Sequence, residues 1–197
     1  MRLFVAVDLT NEVRQRIAEY IAQMVKQLPE AAGTKWVRDE SLHLTLKFIG
    51  QSNRLDEIQA ALGKIRSPSF AVSIRDVGFF TPGSPRIFWA GIHAPEELPR
   101  LASQVEHGLI PLGIPQEREG YHPHITLARS GSGRPHGAKG DRNKPWLLGL
   151  QQAIGAKPEF SHPDFGTITP QEFFLYRSET LPEGARYTKL ASFPLRS

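Results

Sequence analysis

The chain is 197 residues long, 40% hydrophobic and 22% charged, an ordinary globular balance that fits one domain and excludes a disordered, collagen-like or coiled-coil chain. It has no cysteine, so a disulfide framework, a thiolate metal site and a cysteine nucleophile are ruled out. Lys+Arg number 24 against 20 Asp+Glu, a net +4 that permits a polyanionic partner without demanding one.

The opening apolar run, residues 3–7, stops at Asp8. It is too short for a signal-peptide core or a bilayer span, and no later run is longer, so a cytoplasmic protein with no membrane partner is expected. Residues 2–9 read as a strand that meets a helix start at Thr10-Asn11. From residue 11 to 27, Val13, Ile17, Tyr20, Ile21, Met24 and Val25 recur at helical spacing, and Pro29 and Gly33 close the helix. Residues 35–37 predict a short strand, 43–49 a clear strand closed by Gly50, and 55–65 a second amphipathic helix. Two further strands, 70–77 and 86–92, flank the breaker sequence Thr81-Pro82-Gly83-Ser84-Pro85. A third helix is predicted over 98–112 and a strand over 124–128. Residues 130–144, rich in Gly and basic residues, read as a mobile surface loop. A short helix over 146–154 and late strands over 173–178 and 187–195 complete the chain. Strands and helices alternate, yet hairpin turns intervene, so the prediction is α+β with mostly antiparallel sheets rather than a doubly wound parallel fold.

One motif occurs twice. Leu42-His43-Leu44-Thr45-Leu46 is matched by Pro123-His124-Ile125-Thr126-Leu127, both reading His, apolar, Thr, Leu. With seven His and nine Thr in the chain, such a pair arises in roughly one random shuffle in ten thousand. A single His-x-Thr on a strand is an ordinary half-buried pair; its duplication makes it a motif. Side chains at i and i+2 share one face of a strand. His43 and Thr45 therefore point one way while Leu42, Leu44 and Leu46 point into a core, and His124 and Thr126 do the same opposite Ile125 and Leu127. If the two halves face each other about a pseudo-two-fold axis, two imidazoles and two hydroxyls converge in one cleft. Imidazoles with ordinary values near 6.5 can serve as acid and base near neutral pH, and hydroxyls can donate to anionic oxygens. Phosphodiester cleavage needs that set, with no metal or other cofactor. His122 and His124 form a metal-type pair with no third ligand in view. His93, His107, His136 and His162 read as isolated surface or packing residues.

These residues carry a resemblance. The paired motif resembles that of the two-histidine (2H) phosphoesterases, and within them the chain is similar to the LigT-like RNA 2',3'-cyclic phosphodiesterases, also called 2'-5' RNA ligases. Similar segments run through nearly the whole length: residues 2–9 (RLFVAVDL), 35–38 (KWVR) leading into the first motif, 85–91 (PRIFWAG), 121–129 (YHPHITLAR), 175–178 (LYRS) and 184–190 (GARYTKL). The resemblance implies a single domain over residues 1–197 with a bilobal fold. Two mostly antiparallel sheets would flank a central cleft, with helices outside. It also implies hydrolysis of RNA ends carrying a 2',3'-cyclic phosphate to a 2'-phosphate; a monomer is expected, although the sequence itself does not fix the oligomeric state. By analogy His124 is the general base that activates water and His43 the general acid that protonates the leaving 3' oxygen. Thr45, Thr126 and Arg129 would hold phosphoryl oxygens. Phe48 is a candidate for stacking on a base. Arg129 and Phe48 both have core-facing parity on straight strands; a bulge or the strand's end near Ala128 would redirect Arg129 into the cleft, and otherwise it is a solvated surface charge. Lys47, Arg129, Arg134, Lys139 and Arg142 would form a basic groove for RNA. Two alternatives stand beside this reading: action on a 2'-5' linkage or a small cyclic nucleotide, and a non-catalytic module that captures RNA ends.

Overall fold

A computed structural model describes residues 1–81, 83–130, 146–181 and 184–196. The expected loop thus lies outside the described residues beyond Ser130, and with it Arg134, His136, Lys139 and Arg142. The elements in chain order are β1 (Arg2–Asp8), α1 (Asn11–Gln27), α2 (Pro29–Ala32), β2 (His43–Gln51), α3 (Leu55–Leu62), β3 (Val72–Phe80), β4 (Ile87–His93), α4 (Glu97–Leu109), β5 (His124–Arg129), α5 (Trp146–Ala156), β6 (Asp164–Ile168), β7 (Glu172–Leu181) and β8 (Gly184–Pro194). The fold is α+β, as predicted.

The start of α1 follows from chemistry readable in the chain. Thr10 is its N-cap, accepting from the backbone N–H of Val13 at 3.4 Å, and Val13, Ile17, Tyr20 and Met24 form its buried stripe. Three readings change. Residues 35–37 form only an isolated bridge, Trp36 with Ala128, in which the backbone N–H of Val37 donates to the Leu127 carbonyl at 2.8 Å. The third helix ends at Leu109 and tightens to a 3-10 turn over Ile110–Leu112, closed by Gly113 at φ 76°. Strand β6, unanticipated, pairs with β3.

The strands form one hydrogen-bonded order, β6-β3-β4-β5-β2-β1-β7-β8, rather than two separate sheets, and neighbouring strands run antiparallel. The order is nonetheless divided. The two motif strands, β2 and β5, meet through a single registered pair, Leu44 with Ile125, whereas the pairs on either side extend over several residues. Each motif strand therefore heads a four-stranded half, β2-β1-β7-β8 on one side and β5-β4-β3-β6 on the other. The helices cover one face. Val13, Ile17, Ile58, Leu62, Leu101, Val105 and Leu150 from the helices pack there against Val5, Val7, Leu44, Ile74, Phe88, Ile125 and Leu127 from the strands. The opposite face carries a separate small cluster, Phe4, Ala6, Phe174 and Tyr176 with Tyr187 packed on it.

Candidate active site in the sheet seam

Leu44 and Ile125 are fully buried in the core and directly opposed. Antiparallel register then sets His43 opposite Thr126 and Thr45 opposite His124, all four on the other face. The two histidines are thus diagonal neighbours across the seam.

The two strands share one burial pattern over six positions: half-buried, buried, half-buried, buried, buried, exposed. The two consecutive buried residues mark a bulge in each strand. In β2, Thr45 pairs with Ala6 and Lys47 with Val5, leaving Leu46 as the extra residue. In β5, Thr126 pairs with Trp89 and Ala128 with Phe88, leaving Leu127 extra. Each bulge reverses the parity beyond it. Phe48 thereby returns to the face of His43, opposite Phe4, with ring centroids 6.3 Å apart, and it stays 49% exposed. Arg129 returns to the face of Thr126 and donates from Nη2 to Thr126 Oγ1 at 3.2 Å. That bond turns the Thr126 hydroxyl hydrogen away from Arg129, leaving it free to donate to an anion.

Lys47 is the residue that the bulge removes. Expected in a basic groove, it is 3% exposed on the core side. Its Nζ donates to Glu106 Oε1 (2.9 Å), the Pro115 carbonyl (2.8 Å) and Glu117 Oε1 (3.3 Å). It fastens the first motif strand to α4 and to the segment leading into the second motif. Tyr121 reinforces that link, its hydroxyl donating to the Thr45 carbonyl at 3.1 Å.

Each imidazole is held in the same way. His43 donates from Nδ1 to the Ser41 carbonyl and His124 from Nδ1 to the His122 carbonyl, both at 2.7 Å. A carbonyl only accepts, so Nδ1 carries the hydrogen and Nε2 is left as the working atom, an acceptor when the ring is neutral and a donor when it is charged. Burial among Phe4 (4.8 Å), Tyr187 (5.1 Å) and Tyr176 (6.5 Å) pushes His43 down to about 4. The Ser41 bond and Asp8 oppose that shift; Arg129 and Arg14 add to it. His124, edge-on to Phe80 at 4.8 Å, is also lowered, first by burial and then by Arg129 and His122, against the His122 carbonyl bond. Both rings are thus neutral in the free site near pH 7.

Sequence reasoning missed the walls of this face. Asp8, Tyr176 and Lys189 line it beside His43, and Phe80 and Trp89 beside His124. Trp89 lies over Gly78, where a Cβ would fall 2.3 Å from the indole, so only glycine fits there. Period-2 alternation in Phe4-x-Ala6-x-Asp8 and Tyr187-x-Lys189 was the available signal. His93 and His162 are not isolated either. They bind the two oxygens of Asp76 at 3.0 and 2.9 Å, and these bonds, that of His162 foremost, hold the Asp76 carboxyl below its usual range. His107 bonds within its own helix, Nδ1 donating to the Ser103 carbonyl. Among the described residues no group of three His, Cys, Asp or Glu side chains is placed to hold a metal ion, and no helix is long and apolar enough to cross a membrane.

Known proteins share this arrangement of chain. A family model described as the 2'-5' RNA ligase superfamily matches residues 10–140. The RNA 2',3'-cyclic phosphodiesterase of Archaeoglobus fulgidus is 32% identical over 196 residues, covering 98% of this chain and 99% of the relative. That of Escherichia coli is 35% identical over 198 residues, covering 98% and 96%. Among solved structures, E. coli LigT complexed with 3'-AMP superposes with a TM-score of 0.75 at 28% identity, over 100% of this chain and 98% of that one.

Proposed function

This chain belongs to the 2'-5' RNA ligase superfamily, and on that premise we propose that it is an RNA 2',3'-cyclic phosphodiesterase that opens the cyclic phosphate to a 2'-phosphate without a metal ion. The observation that carries the reading is the single registered pair between the motif strands, which puts two imidazoles and two hydroxyls on one face. The superfamily name alone leaves the reaction open; the full-length relatives named for the cyclic phosphodiesterase favour this one.

The phosphate sits between the histidines. His124 Nε2 takes a proton from water as its oxygen attacks phosphorus, and the bond from phosphorus to the 3' oxygen breaks. His43 Nε2, charged at that moment, gives its proton to the departing 3' oxygen. Thr45 and Thr126 donate to the non-bridging oxygens, and Arg129 balances their charge. The free site holds both rings neutral, so His43 must gain a proton as the phosphodiester anion enters, and that anion favours the charged ring. Phe48, exposed beside Phe4, offers a stacking surface to the terminal base.

The test is turnover of an oligonucleotide ending in a 2',3'-cyclic phosphate with EDTA present. Full activity and a 2'-phosphate product are expected. His43→Ala and His124→Ala should each cost about 10²- to 10⁴-fold in kcat. Loss of activity in EDTA alone would refute the mechanism.

A further inference from the structure

The two halves present their histidines alike, but the strands beside them do not match. On β1 the residue registered opposite His43 is Asp8. On β4 the residue registered opposite His124 is Gly91. No side chain fits at Gly91, since a Cβ there would lie 2.6 Å from the Arg75 carbonyl oxygen. A carboxylate therefore stands beside one imidazole and is sterically barred from the equivalent place beside the other.

Asp8 is also braced. It accepts from the Tyr176 hydroxyl of β7 through one oxygen and from Lys189 Nζ of β8 through the other, the latter at 2.5 Å. Lys189 in turn lies over the Phe174 ring at 3.9 Å. Asp8 is 28% exposed, so its charge is only partly screened by water. The other titratable or charged groups facing His43 are Arg14 from α1, Arg129 from β5, and Tyr176 and Tyr187 from β7 and β8. Asp8 is the anion among them. Among the described residues the corresponding groups around His124 are His122 and Arg129, with no carboxylate.

We propose that Asp8 is the positioning residue that makes the two histidines unequal, supplying a counter-charge to the imidazolium of His43 and so assigning it the role of proton donor, while Tyr176 and Lys189 set how much of that charge His43 feels. The kinetic consequence rests on the two-histidine reaction proposed above; the electrostatic asymmetry does not. Burial leaves His43 without its proton in the free site, so the ring must take one up as the phosphate anion enters. Asp8 opposes that loss, and the Lys189 ammonium keeps the carboxylate from repelling the incoming phosphate. Among the described residues His124 has no such partner and is left as the base.

The experiment follows both imidazoles by NMR titration in the free, substrate-free protein, in the parent and in Asp8→Asn and Lys189→Met variants. In Asp8→Asn the His43 titration should move down by about one pH unit, as expected for loss of a nearby opposite charge, with His124 moving much less. In Lys189→Met, which keeps the alkyl contact with Phe174, the His43 titration should move up. With a cyclic-phosphate oligonucleotide, kcat/KM of Asp8→Asn should fall about tenfold at pH 7.5 and recover as the pH is lowered. Equal movement of both histidines in Asp8→Asn, or a downward shift of His43 in Lys189→Met, would overturn the proposal. Failure of the proposed reaction looks different: no turnover by any of the proteins, with the titrations unaffected. Should Asp8→Asn not fold, the sign of the Lys189→Met shift decides alone.

Discussion

A neutral, buried His43 ties stability to pH. Its folded value, about 4, lies below the ordinary 6.5, so the unfolded chain takes up the proton first. That contribution is fully present above pH 6.5 and is lost as the pH falls toward 4, by up to about 3 kcal/mol. His43→Gln should flatten the corresponding part of a urea-unfolding series run from pH 7 to 4. Activity carries the same mark. Both histidines are lowered in the free site, so the bell-shaped profile of kcat/KM should centre below pH 6.5, while that of kcat should lie higher because bound phosphate favours the charged ring. The apparent values belong to the pair and not to either ring. At this scale the sequence was generous with the machinery: the duplicated His-x-Thr names four residues outright. It was silent on Asp8, Tyr176 and Lys189, because their meeting depends on which strands pair, and Tyr176 and Lys189 come 168 or more residues after Asp8.

Strand parity places residues only while a strand stays regular. Phe48 and Arg129 have the parity of the core, and a bulge at Leu46 and another at Leu127 carry both to the open face. Neither bulge has a glycine or proline to announce it, so they could not be read from composition. The first is stabilised by the Lys47 ion pairs, the second by Val37 binding the Leu127 carbonyl. Lys47→Met would leave Glu106, 25% exposed, without its main counter-charge, and should cost about 1–3 kcal/mol in urea unfolding, less than a fully buried pair because the far side is open. The salt dependence of RNA binding should not change in that variant, since Lys47 does not face the cleft. Gly78→Ala would drive a methyl into the Trp89 ring and should cost about 1–3 kcal/mol, seen as a lower Tm.

Across the whole molecule, the eight-stranded order narrows at its middle to one registered pair between the two motif strands. The helices leave that seam's other face uncovered, and the chain's alternation of α and β foretold the layers without foretelling where they would narrow. Leu44→Ala should therefore damage catalysis beyond its stability cost of about 2–5 kcal/mol, with kcat falling even where the protein remains folded. The path of the chain through the two halves has a further consequence. Strands β3 to β6, with His124, come from one continuous stretch, residues 72–168, whereas the half that holds His43 joins β1 and β2 to β7 and β8 from the far end. In the order of synthesis, every strand of the His124 half is made before β7 and β8. A chain stopped before these strands would carry both histidines but neither Tyr176 nor Lys189, and so would leave Asp8 without either of its braces.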